Sequence, residues 1–66
     1  MPTSDVALEQ LHTILGAREM TAQAVSDRWG YTTDTTRRHL DYGVYIGRFI
    51  VAGKSAQNRK TYAVAP

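Results

Sequence analysis

Two adjacent arginines, Arg37 and Arg38, stand among Thr32, Thr33, Asp34 and Asp41, and a second polar stretch carries Lys54, Ser55, Gln57, Asn58, Arg59 and Lys60. A planar guanidinium donates two parallel N–H bonds to the O6 and N7 edge of guanine, whereas lysine, amide and hydroxyl groups bond phosphate oxygens and sugars. The chemistry on offer is recognition of a polyanion. Catalysis has less to draw on: no nucleophile stands beside a base, no glycine-rich phosphate loop follows a strand pattern, and His12 and His39 lack HExxH-type metal spacing. An enzyme is not expected, nor a catalytic residue, a metal or another cofactor. Both histidines read as non-catalytic, His39 as partly buried on the shoulder of its helix.

Charge is distributed unevenly. Residues 1–30 set Arg18 and Arg28 against Asp5, Glu9, Glu19 and Asp27, a net of −2. Residues 31–66 set Arg37, Arg38, Arg48, Lys54, Arg59 and Lys60 against Asp34 and Asp41, a net of +4. Such asymmetry suits a polyanion met by the second half, the bland alternative being a solvated basic surface.

The elements that must position these residues follow from periodicity and punctuation. At 66 residues the chain is read as one domain, 1–66, and a domain of this size buries only about 60% of its unfolded surface. Cysteine is absent, so an apolar core or a partner must supply stability. Met1 to Thr3 read as a loose start and 65–66 as a tail. Ser4 or Asp5 can cap a first helix with Ala7, Leu8, Leu11, Ile14 and Leu15 on one stripe, stopped by Gly16. Ala17 to Met20 read as a short link, and Thr21 caps a second helix carrying Ala22, Val25 and a core Trp29, ended by Gly30.

Tyr31 to Asp34 form a turn and a helix start, and a third helix over 33–46 turns Thr36, Leu40 and Val44 inward and Arg37, Arg38 and Asp41 outward. Gly43 and Gly47 both offer a stop, and the boundary is placed at Gly47. Phe49 to Ala52 and Thr61 to Val64 read as strands joined by the loop 53–60, with Tyr62 and Val64 facing inward. Tyr31 reads as a core edge, Tyr42 and Tyr45 as packing on the strands or on a partner chain. The expected fold class is therefore α+β: three helices followed by a two-stranded antiparallel hairpin, a small winged helix-turn-helix in which the third helix faces the major groove and the hairpin is the wing.

The run Thr35-Thr36-Arg37-Arg38-His39-Leu40 resembles the recognition helix of DeoR-type bacterial repressors, whose pattern there is threonine-isoleucine-arginine-arginine-aspartate-leucine. The likeness spans roughly Thr21 to Ile50, and the wing hairpin extends it over most of the chain. Thr36 stands where that family has an apolar residue, His39 where it has aspartate and Gly43 where it has leucine. The resemblance implies that Arg37 and Arg38 contact DNA. It does not extend to the family's sugar-phosphate-sensing domain, so no small-molecule effector is expected.

Double-stranded DNA is thus the expected partner, contacted by Thr32, Thr33, Asp34, Arg37, Arg38 and Asp41 in the groove and by Lys54, Ser55, Gln57, Asn58, Arg59 and Lys60 on the backbone or in the minor groove. A small bacterial, phage or mobile-element regulator of transcription acting by occupancy, with a homodimer on a two-fold site, fits this set. The alternatives are an adaptor for another protein, such as one of the transcription machinery, and a winged helix that binds RNA. The apolar runs fall far short of the roughly 20 residues a membrane span needs, and the expected compartment is the cytoplasm.

Overall fold

The structure, a computed structural model, describes residues 4–66. The chain runs α1 (Ser4–Leu15), β1 (Met20–Thr21), α2 (Ala22–Trp29), α3 (Thr33–Tyr45), β2 (Phe49–Lys54) and β3 (Lys60–Val64), an α+β arrangement. The loose start expected at Met1 to Thr3 lies outside the described residues. α1 opens at Ser4, so Ser4 and Asp5 occupy its first turn instead of preceding it.

Threonine begins both later helices for the same reason. In extended backbone, Thr21 accepts the Ala24 N–H and Thr32 accepts the Thr35 N–H, each at 3.2 Å. Each bond satisfies a donor that the first helical turn leaves without a partner. α2 stops at Gly30, whose φ of 87° is open to glycine at little cost, with its N–H donating to the Ser26 carbonyl at 2.9 Å. α3 runs through Gly43 to Tyr45, close to the expected boundary, and the Arg48 N–H closes its end on the Gly43 carbonyl at 2.8 Å.

The sheet has three antiparallel strands in the order β1-β3-β2, not the two of a simple hairpin. The segment expected to be a link supplies β1, with Met20 opposite Tyr62 and Thr21 opposite Thr61. Two residues carry no readable alternation, and Thr21 serves both as strand residue and as the cap of α2. β2 and β3 pair from Phe49 opposite Val64 to Lys54 opposite Lys60, with a bulge between Val51 and Gly53. The ladder continues past β3, since the Ala65 N–H donates to the Arg48 carbonyl at 3.0 Å, so Ala65 is held in place and is not a free tail.

The core lies between the helices and the inner face of the sheet. Leu8, Leu11 and Leu15 of α1 meet Val25, Leu40, Met20, Phe49 and Tyr62 there, and Thr36 is buried among them with its hydroxyl donating to the Thr32 carbonyl at 2.8 Å. Trp29, expected in the core, is only half-buried because its indole N–H reaches out to Gln10 Oε1 at 2.7 Å, joining α2 to α1. Its ring leans on Tyr31, centroids 4.3 Å apart, and meets the edge of His39 at 5.4 Å. His39 is half-buried as expected, and its Nδ1 lies 2.9 Å from the Thr35 carbonyl, an acceptor that requires the proton on Nδ1. Tyr31 is exposed at the surface, and Tyr45, 86% exposed, packs on no strand.

Gly43 marks the closest approach in the core. A Cβ there would run into the ring of Phe49, itself 1% exposed, and lie 3.2 Å from Leu8 Cδ2. The absent side chain is what lets β2 seat its aromatic ring on α3. Gly43→Ala gains about 1 kcal/mol of helix propensity but overpacks a closed site, a change that costs about 1 to 3 kcal/mol. A net loss of stability is expected in denaturant unfolding. A gain, the usual result of this substitution inside a helix, would mean that the Phe49 ring has room to move.

Candidate nucleic-acid interface

The outward face of α3 is set by helical spacing. Asp34, Arg37, Arg38 and Asp41 fall at i, i+3, i+4 and i+7, opposite the buried Thr36 and Leu40. One carboxylate serves both arginines: Asp34 Oδ1 accepts from Arg37 Nη2 at 3.0 Å, and Asp34 Oδ2 lies 3.2 Å from Arg38 Nη2. All three side chains are more than half exposed, with Arg38 at 78%. Such pairs are worth about 0.3 to 0.5 kcal/mol, so they orient the guanidiniums more than they stabilise the fold.

Asp41 is engaged from the other direction. The hydroxyl of Tyr62, in the central strand, donates to Asp41 Oδ1 at 2.6 Å. Burial holds this phenol well above the usual tyrosine range; the hydrogen bond to Asp41 and the charge of Asp41 add to the effect, while the Arg37 guanidinium opposes it. Tyr62 thereby sits beneath Arg37 and joins the sheet to α3.

Arg37 also forms one wall of a cleft of about 410 Å³. Thr33 shares that wall, the α2 cap Thr21 and Gln23 of α2 form the second, Arg59 and Lys60 the third, and Tyr62 contributes to the lining. The α2 wall is fixed by hydrogen bonds. Gln23 Nε2 donates to Asp27 Oδ1 at 3.0 Å, while its Oε1 accepts the Thr33 hydroxyl at 2.9 Å, and Ser26 Oγ stands 3.2 Å from that hydroxyl. Thr21 and Gln23 were not among the sequence-predicted contacts. The available signal was their place in the first turn of the helix preceding α3, where backbone N–H groups point outward.

The hairpin divides its polar residues between two tasks. Ser55 builds the turn: its N–H donates to the Arg59 carbonyl at 2.8 Å, its carbonyl accepts from Asn58 at 2.9 Å, and its hydroxyl accepts from the Gln57 and Arg59 N–H groups at 3.3 and 3.4 Å. Asn58 turns the chain at φ 63°, a conformation that asparagine tolerates better than most residues. Lys54, Gln57, Arg59 and Lys60 are left exposed. Lys54 and Lys60 are direct cross-strand partners, a like-charge pairing that disfavours the hairpin. The acid near the base of the hairpin is Glu19, which accepts the Thr61 hydroxyl at 3.1 Å.

The predicted contacts therefore fall into groups. Thr33 and Arg37 meet Arg59 and Lys60 around the cleft, Asp34 gathers Arg37 and Arg38, and Thr32 and Ser55 are engaged in capping and turn formation. Arg38 borders a smaller groove of about 140 Å³ with Ser4, His39 and Tyr42. Arg48, counted in the basic half, lies apart and pairs with Glu9 of α1 at 3.1 Å. Among the described residues, no three His, Cys, Asp or Glu side chains are grouped to hold a metal, and no helix is long and apolar enough to cross a membrane.

Comparison of the chain with protein-family models, curated proteins and solved structures finds no match.

The Tyr62 phenol carries a prediction about alkali. Its folded pKa is raised above the unfolded value of about 10, so its contribution is intact below that pH and is lost as pH rises through the folded value. Unfolding titrations should show stability declining from about pH 10 upward. Tyr62→Phe should flatten that decline and lower stability near neutral pH by about 1 kcal/mol, since the exposed Asp41 is rehydrated when the phenol is gone. An unchanged alkaline slope would assign the decline to other groups.

Proposed function

We propose that the chain is a winged helix-turn-helix module that binds double-stranded DNA sequence-specifically, with α3 in the major groove and the β2–β3 hairpin as a wing on the sugar-phosphate backbone. The observation that carries this reading is the shared cleft: Arg37 of α3 and Arg59 and Lys60 of the hairpin line one concavity, with the first turn of α2 beside them. A duplex lying along that concavity meets base-reading and phosphate-bonding groups at once. The Lys54–Lys60 pairing supports it, because mutual repulsion in the free hairpin is relieved when phosphates come between the two ammonium groups. Under this reading the protein regulates transcription by occupancy of its site. Tyr45 and Ile46, 86% and 43% exposed at the far end of α3, favour a protein contact as well, in keeping with a dimer on a two-fold site.

The decisive experiment is selection of bound duplexes from a random pool, with an Arg37→Ala, Arg38→Ala protein alongside. A motif enriched by the wild type and lost by the double variant is the expected result. No enrichment by a folded wild type would overturn the reading and favour a protein partner.

Lys60→Thr separates stability from binding. Removing the like-charge pair should raise the stability of the free protein by about 0.2 to 1 kcal/mol. Binding to all duplexes should weaken alike, with the salt slope reduced by roughly 1. A selective loss on one sequence would make Lys60 a base-reading residue instead.

A further inference from the structure

The exposed face of α3 is charge-balanced: Arg37 and Arg38 stand against Asp34 and Asp41. That is an unexpected surface for general attraction to phosphate, which the exposed Lys54, Arg59 and Lys60 are better placed to supply. Asp34 engages one amino group of each arginine, Arg37 by a hydrogen bond and Arg38 as an ion pair. Each guanidinium has five N–H donors in a planar fork, so an edge of each stays open while the carboxylate remains attached. Asp41 is engaged differently: its Oδ1 accepts the Tyr62 hydroxyl, whereas the two oxygens of Asp34 face the two arginines.

Resting on the DNA-binding reading, we infer that Asp34 is a positioning residue for specificity: it tethers Arg37 and Arg38 so that they engage guanine edges and are withheld from phosphates. A phosphate approaching either guanidinium meets the like charge of the Asp34 carboxylate beside it, whereas a guanine edge is neutral and does not. A guanine O6 and N7 pair takes the open edge and leaves the tether intact. Asp34 also lies near the N-terminus of α3, where a carboxylate is favoured by the helix dipole, so it holds its place with or without DNA.

The test compares wild type, Asp34→Asn and Asp34→Ser on the selected duplex and on a scrambled one, across a salt series, with thermal unfolding to confirm that each variant folds. Glu19→Gln is the control for simple charge removal, since Glu19 contacts Thr61 and neither arginine in the interactions described. Both Asp34 variants should bind the scrambled duplex roughly three- to tenfold more tightly, with a salt slope steeper by roughly 1 to 2. The selected duplex should gain less, so the ratio of the two affinities falls. Glu19→Gln should shift both duplexes alike and leave the ratio unchanged. Equal gains on both duplexes from the Asp34 variants would reduce Asp34 to a charge, parallel losses would reduce it to a helix-start residue, and loss of preference at one base pair alone would make it a base reader; each overturns the inference. A wild type that selects no duplex overturns the DNA reading itself, and the inference with it.

Discussion

Tyr62 is the residue through which the two halves of the molecule are aligned. It lies in the central strand, pairs with Met20 on one side and Val51 on the other, and is 1% exposed. A buried phenol needs a partner for its hydroxyl, and Asp41 of α3 provides it at 2.6 Å. That bond is directional, and together with the Phe49 ring seated at Gly43 it ties α3 to the sheet. Arg59 and Lys60 precede Tyr62 by three and two residues, and Arg37 precedes Asp41 by one helical turn. The hydrogen bond thus joins the helix and the strand whose neighbouring cations line the cleft.

Opposed electrostatic choices surround that floor. On α3 the arginines are matched by carboxylates on the same face, which disperses their charge and orients their donors. On the hairpin, cations are set against cations, with Lys54 directly across from Lys60. A domain this small has little core energy to set against such repulsion. It stands in a turn otherwise well provided with hydrogen bonds by Ser55, a local conflict between charge and turn chemistry. Under the proposed function the two choices are complementary: the hairpin supplies attraction to any duplex and the helix supplies discrimination.

Helices were legible because each carries its own punctuation. Thr21, Gly30 and Thr32 are capping or terminating residues at the positions where the helices begin and end, and the buried stripe of α1 follows the 3.6-residue period. β1 was not legible, because two residues hold no period and Met20–Thr21 is a strand only by virtue of β3 beside it. The exposed site residues of α3 followed from periodicity, but the cleft did not, since the approach of Gln23 to Thr33 and of Arg59 to Arg37 is set by tertiary packing. Arg48 shows the same limit from the other side: a cation counted with the basic half belongs to an ion pair with α1.

Thr36, His39 and Gly43 each find a partner within this fold. Thr36 is buried without penalty because its hydroxyl bonds back to the Thr32 carbonyl. The ring of His39 meets Trp29 edge-on, and the space beside Gly43 is filled by the Phe49 ring. Each position is thus satisfied by a neighbour, and none of the three is part of the row Asp34, Arg37, Arg38 and Asp41. An inward face can be rebuilt from different residues provided volume and hydrogen bonds are conserved. An outward face has no such freedom if its partner is a base edge, because two donors must arrive at a fixed spacing. Under the proposed function, the adjacent arginines on the outward face of α3 are therefore explained by what lies outside the domain.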